Sequence, residues 1–339
     1  MDAPAFDPAV EGAADSGETR ARLRARVDAR GAEQGFALEE KPGDAVKTPR
    51  WAPLAAAALS RLERAAGASA RRVRSRRYGQ GPRRTLDIYL PRARARRPRP
   101  VIVFFHGGAW RSGSKEETAF VGLSLARMGH VVVMPNHRLV PEVRFPTFLE
   151  DAAEAVGWTH GHIDRHGGDP DRIALMGHSA GAHTAMMLGL DRAYLAGVGA
   201  PHEAVRALVG LSGPYDFHPF PLQLCVDAFG AARDPMATQP VAFARPDAPP
   251  TLLIAGDKDR HVPPENTLSM AEALRAAGAR CEARIEAGAG HIGPLVGLSH
   301  VLGRRMSIRR RLAEFLASAG MAPPAPQGAT DGAKAGFAR

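Results

Sequence analysis

The chain has 339 residues, 45% of them hydrophobic, enough to bury one large α/β core or two small ones. Its formal charge is +10, but residues 61–99 hold 14 Arg against Glu63 and Asp87, so the excess is local. Only Tyr78 and Tyr89 accompany those arginines, too few aromatics for a nucleic-acid groove, and two cysteines, Cys225 and Cys281, exclude a disulfide scaffold.

Arg outnumbers Lys 40 to 5, which reads as compositional bias, and the 61–99 segment reads as a solvated basic surface. No run approaches the ~18 apolar residues of a membrane span. Residues 1–50 are polar, spotted with Gly and Pro, and show no basic-then-apolar leader. They read as a partly disordered extension with one short helix near "ETRARLRARV", and a cytoplasmic protein is expected. Residues 51–66 fit an amphipathic helix that closes an N-terminal extension of 1–66.

From Thr85 the pattern changes. "TLDIYLP" (85–91) alternates and stops at Pro91, as an edge or antiparallel strand does. "PVIVFFHG", "HVVVMPN", "RIALMG", "ALVGLSG" and "TLLIAGD" are short, nearly continuous apolar runs, the pattern of parallel strands covered on both faces. Helix-length segments separate them at 116–128, 148–163, 180–190 and 264–277. The alternation predicts an α/β fold, a mostly parallel doubly wound sheet with helices on both faces, in one catalytic domain over 67–319. The tail 320–339 has too few apolar residues to order itself.

In such a sheet, active sites form beyond the carboxyl ends of the strands, and four unusual segments fall there. "GHSAG", after "RIALM", needs small residues at Gly177 and Gly181 because a strand-to-helix elbow brings both elements close, and it exposes the Ser179 hydroxyl. "HGGAW" (His106–Trp110) follows "VIVFF"; its Gly107 or Gly108 N–H, with that of Ala180, can cradle an oxyanion. His106 stands before that loop and reads as a brace. "LLIAGDKDRHVP" offers two acids, Asp257 and Asp259; the spacing to Val262-Pro263, as in hydrolases whose strand ends Gly-x-x-Asp-x-x-Val-Pro, favours Asp259. "GAGHIG" follows the strand "CEARIEA" and gives His291 room to reach Ser179. The chain order Ser179, Asp259, His291 is the one associated with this kind of sheet. His160, His162 and His166 lack a companion carboxylate or thiolate cluster, so no metal is expected.

Taken in order, "HGGAW", "HGGDP", "GHSAGAH" and "GDKDRHVP" give residues 85–318 a resemblance to α/β-hydrolases of the esterase branch, similar to bifunctional feruloyl and acetyl-xylan esterase-like carboxylesterases. "HGG-x-W" with "GHSAG" also resembles kynurenine formamidases and isoprenylcysteine methylesterases. "HRLVPEVRFP" echoes hormone-sensitive-lipase-like esterases, although Ala109 stands where their third glycine would be. The resemblance implies hydrolysis of a carboxylic ester of small or medium acyl group, or an amide, without a cofactor. The expected mechanism has Ser179 as nucleophile, His291 as general base and acid, and Asp259 orienting the imidazole. Trp110, Tyr215 and Phe217 are expected in the pocket, the last two within "GPYDFHPFPLQL" (213–224). The expected partner is a small-molecule ester, with no nucleic acid and no stable membrane association; the oligomeric state stays open. The alternatives are an arylformamidase and a non-catalytic binding protein of the same fold.

Overall fold

A computed structural model describes residues 52–65 and 70–325. The expected helix at "ETRARLRARV", and residues 326–339 of the expected tail, lie outside them.

Eight strands make one sheet in the order β1-β2-β4-β3-β5-β6-β7-β8. They are β1 (Ala70–Arg77), β2 (Thr85–Pro91), β3 (Arg99–Phe105), β4 (Val131–Pro135), β5 (Gly168–His178), β6 (Val205–Leu211), β7 (Thr251–Gly256) and β8 (Cys281–Glu286). β1 and β2 run antiparallel to their neighbours; every pairing from β4 to β8 is parallel. Seven strands follow the apolar runs read from the sequence. β1 does not: it lies in the Arg-rich segment that reads as plain surface, and only its antiparallel pairing with β2 makes it a strand.

Strands β2 to β7 bury both faces, as continuous apolar runs require, while the edge strands β1 and β8 are half-buried to exposed. Ile102, Phe104, Val132, Met134, Ala174, Met176, Val209 and Ile254 belong to one core with Phe120 and Leu123 of α2 (Ala119–Arg127) and Leu312, Phe315 and Leu316 near the C-terminus. Residues of the opposite parity, among them Val101, Val103, Phe105, Leu175 and Leu208, are equally buried. That second face carries α3 (Thr147–His162) and α4 (Ala180–Leu190), each in contact with β5. Every residue of α4 is buried, so this helix has no polar stripe to signal its orientation.

Both expected domain boundaries move outward. Helix α1 (Ala52–Ala65) belongs to the body: Leu59 joins the core, and the fully buried Glu63 carboxylate accepts a hydrogen bond from Ser299. At the other end Met321 is fully buried and its carbonyl accepts from His130 Nε2 at 3.0 Å.

From β3 the chain crosses through α2 to β4 on one side, then returns through α3 to β5 on the other. The sheet order reverses there, so the loops leaving β3 and β5 splay apart into a crevice at their carboxyl ends. That is where "HGGAW" and "GHSAG" emerge.

Candidate active site

Ser179 separates β5 from α4 with φ 55° and ψ −125°, a conformation that a side-chain-bearing residue adopts only under constraint. The constraint is visible in the flanking glycines. A Cβ on Gly177 would collide with the Gly181 carbonyl, and one on Gly181 with the carbonyls of Phe105 and His106. The elbow is therefore pressed against both its own helix and the end of β3, and the Ser179 hydroxyl is left on the crevice side.

Three loops converge on it. Ser179 Oγ donates to His291 Nε2 at 2.9 Å, and His291 Nδ1 donates to Asp259 Oδ2 at 2.8 Å. The imidazole tautomer follows from those two partners. Asp259 Oδ1 accepts the N–H groups of His261 and Val262, both at 3.0 Å. Burial alone would raise the Asp259 pKa, but the bond from His291 and the two backbone N–H groups outweigh it and hold the carboxyl below the usual aspartate range. Asp257 lies elsewhere: it is exposed, and its Oδ1 accepts Gly288 N–H at 2.7 Å. With Lys258 N–H on the Ala289 carbonyl at 3.0 Å, this ties the loop after β8 to the loop after β7 and delivers His291 to Asp259.

Gly107 packs against Ser179: a Cβ there would sit 3.1 Å from the Ser179 Cβ. Gly108 has φ +127°, and Ala109 and Trp110 follow at φ 51° and 58°, so the loop coils tightly beside the elbow. Ala180 opens α4, and its N–H therefore has no acceptor inside the helix. Gly107 is thus in contact with Ser179, and Ala180 follows it at the start of the helix.

Side chains that the sequence reading did not single out brace this loop. Arg83 donates to the carbonyls of Gly113 at 2.8 Å and His137 at 2.7 Å. Arg138 grips the buried Asp151 carboxylate through two guanidinium bonds, 2.7 and 2.9 Å, and its own N–H at 3.0 Å. Two residues on, Val140 N–H reaches the Trp110 carbonyl at 2.9 Å. The "HRLVPE" segment thereby becomes a rigid wall beside "HGGAW". His106 stacks on His137, 4.9 Å between ring centres, and donates to the Gly107 carbonyl at 2.8 Å. Burial and the neighbouring His137 push its pKa down to about 3. His178, beside Ser179, donates from Nε2 to the His291 carbonyl at 3.0 Å; burial and then His291 push its pKa down to about 3. Both imidazoles are neutral braces at ordinary pH.

The three expected pocket residues separate. Trp110 and Phe217 stack 6.0 Å apart in an aromatic cluster with Phe148 and Phe229, which also takes in Ala180 next to Ser179. Tyr215 is no pocket wall. It is fully buried, filling the recess left by Gly210 and Gly213, where a Cβ at either position would collide with its ring or hydroxyl. Among the other histidines, His162 stacks on Trp158 and His160 lies 3.8 Å from Asp171.

A mostly parallel eight-stranded sheet with a serine elbow, an acid after β7 and a histidine after β8 defines an α/β-hydrolase fold. The chain belongs to the BD-FAE family, whose model matches residues 86–274. It is 33% identical over 234 residues to esterase LipC of Mycobacterium tuberculosis, covering 63% of this chain and 58% of that protein. To the isoprenylcysteine alpha-carbonyl methylesterase ICME of Arabidopsis thaliana it is 31% identical over 239 residues, 63% of this chain and 55% of the other. The chain thus spans little more than half the length of these relatives. Esterase 2 of Thermogutta terrifontis in its apo form superposes with TM-score 0.62 at 25% identity, over 74% of this chain and 96% of that one. The same enzyme phosphoramylated by tabun matches with TM-score 0.60 at 25% identity, over 76% and 97%.

Proposed function

We propose that the chain is a serine hydrolase of carboxylic esters, working through an acyl-enzyme. The observation that carries this reading is the unbroken relay from Asp259 through His291 to Ser179, at 2.8 and 2.9 Å, on a strained elbow. Ser179 attacks the acyl carbon as His291 Nε2 takes its proton. The carbonyl oxygen gains charge and is held by the N–H groups of Ala180 and of Gly107 or Gly108. The protonated His291, stabilised by Asp259, then gives the proton to the leaving alcohol; water repeats the sequence to release the acid. No step needs a metal or cofactor. The names of the relatives, esterases and methylesterases, support an ester over an amide.

The reading extends to a small or medium acyl group. Trp110 and Phe217 underlie the site from the aromatic cluster, and the half-buried Phe220, Leu222 and Leu224 pack on its edge, offering an apolar floor of limited extent. A small ester as the partner and a cytoplasmic setting belong to the same proposal.

The test is a series of p-nitrophenyl esters from acetate to dodecanoate, run beside N-formylkynurenine. Hydrolysis should peak at the shorter esters, and Ser179→Ala should lose it while keeping the wild-type circular dichroism spectrum. An organophosphate should label wild type at Ser179, as tabun labels the Thermogutta esterase. Faster cleavage of N-formylkynurenine than of any ester would make the chain an arylformamidase. Absence of both turnover and labelling would make it a binding protein.

A further inference from the structure

At the end of the sheet opposite Ser179, the link from β2 to β3 reads Arg92-Ala93-Arg94-Ala95-Arg96-Arg97-Pro98 and borders a cavity of about 320 Å³. Arg71 of β1 and His166, just before β5, line the cavity as well. The seven residues of β3, at ~3.3 Å each, separate this cavity from the elbow by about 20 Å. It is therefore no part of the esterase crevice.

The loop is held in shape by arginines that are already engaged. Arg99, nearly buried, donates to the carbonyls of Gly129 at 2.9 Å and Ala93 at 2.7 Å, and Arg172 donates to Pro98 at 2.8 Å. The remaining five, Arg71, Arg92, Arg94, Arg96 and Arg97, have no carboxylate partner among the described residues, and no Asp or Glu lines the cavity. Burial, then Arg76 and Arg71, hold His166 on the cavity wall below the ordinary imidazole value. Elsewhere on this surface arginines do find partners, as Arg72 does on Asp87 and Arg84 on Glu154. Five unmatched guanidinium groups around one concavity repel one another, and bound negative charge relieves that repulsion.

We propose that this cavity binds a compact soluble anion carrying two or more phosphate groups. A single phosphate ester brings at most two negative charges, fewer than the five guanidinium groups offer. Guanidinium forks bind phosphate oxygens in pairs, which suits several arginines on adjacent phosphates. The volume sits at the lower end of small-ligand pockets. No Phe, Tyr or Trp lines it, so it lacks the stacking platform of a nucleic-acid site.

Tripolyphosphate is the probe. Calorimetric titration into the full chain at physiological salt should give saturable one-to-one binding, and the anion should raise Tm. Arg94→Gln/Arg96→Gln/Arg97→Gln should weaken binding by about tenfold or more. That variant should hydrolyse a neutral short ester like wild type, which shows the fold intact. Arg233→Gln/Arg284→Gln/Arg310→Gln removes equal charge from other exposed sites and should bind like wild type. Equal weakening in both triple variants would overturn the proposal in favour of net charge alone. Failure of wild type to bind tripolyphosphate, or binding only to phosphatidylglycerol vesicles, would overturn it too.

Discussion

Asp257 and Asp259 stand two residues apart at the end of one strand, yet only one of them faces the imidazole. Asp259 is buried, accepts from His291 and receives two backbone N–H groups; Asp257 is exposed and holds a single loop N–H. An amide at 259 can neither stabilise the imidazolium nor enforce its tautomer, so Asp259→Asn should lower kcat by about 10⁴, as the equivalent change does in a serine protease. The oxygen of an Asn at 257 can still accept Gly288 N–H, so Asp257→Asn should stay close to wild type in ester turnover. Stability gives a second reading. The Asp259 carboxyl titrates lower in the folded chain than in the unfolded one. Its contribution is therefore present above the ordinary aspartate value and lost as pH falls through the depressed native value. Urea midpoints measured below about pH 4 should fall less steeply for Asp259→Asn than for wild type. The competing acids were both legible in the sequence because the strand pattern ends at Gly256. Tyr215 was not, because whether a residue just past a strand turns inward depends on a recess made by Gly210 and Gly213, which the strand pattern leaves unspecified. His178 escaped notice for a similar reason: its partner is a backbone carbonyl, which has no sequence signature.

Elements show the same division between local pattern and distant partner. Helix 180–190 and the parallel strands were legible because continuous apolar runs and the glycine-bounded serine are local signals. β1 was hidden, since its burial pattern is mostly exposed, a bulge falls between Val73 and Arg76, and Ser75 turns to φ 52°. What holds it is a side chain on the next strand: the fully buried Asp87 receives the Arg72 guanidinium, the Ser75 N–H at 2.8 Å and Lys115 Nζ at 3.4 Å. Arg72 was expected to behave as solvated surface like its neighbours, and it does not. The helix-length segments read from the sequence also leave out the C-terminal region. Its last helix (Ile308–Ser318) carries Ile308, Leu312, Phe315 and Leu316 on one buried stripe, a spacing the sequence does display. Asp87→Ala would leave the half-buried Arg72 without its carboxylate and Lys115 with Glu116 alone, and should cost about 3 kcal/mol in urea unfolding. Arg74→Gln, on an exposed residue of the same strand, should stay within about 0.5 kcal/mol. The elbow makes a sharper case. Gly181→Ala drives a methyl group into the Phe105 and His106 carbonyls, so either the elbow or the loop holding Gly107 must shift. Displacements of about 1 Å cost on the order of 10²-fold in rate, so ester turnover should fall at least that far even in a variant that folds.

Across the whole molecule, the sheet keeps two kinds of surface apart. Its carboxyl end carries the elbow, the "HGGAW" loop and an aromatic cluster. Its other end, beyond the first residues of β3, β4 and β5, carries the unmatched arginines. The charge excess of residues 61–99 was plain from composition, but the placement of Arg71 and Arg92 to Arg97 at the far end followed only from the topology, because the Arg-rich link runs there from the end of β2, past β4, to the start of β3. Separation has a kinetic consequence. The two ends lie about 20 Å apart, more than two Debye lengths of about 8 Å at physiological ionic strength. The field of the arginine cluster at Ser179 is then largely screened, and a neutral transition state develops its charge against local N–H groups and His291. Hydrolysis of a neutral short-chain ester should therefore keep its kcat/KM as salt is raised from low to physiological strength. Replacing Arg92, Arg94, Arg96 and Arg97 by Gln should leave that profile unchanged. An anionic ester gives the contrast, since its approach at low salt samples the summed positive field and should speed up there, then lose the advantage as screening sets in. A steep salt dependence for the neutral ester, abolished in the four-site variant, would mean that the two ends of the sheet communicate through something other than charge at a distance.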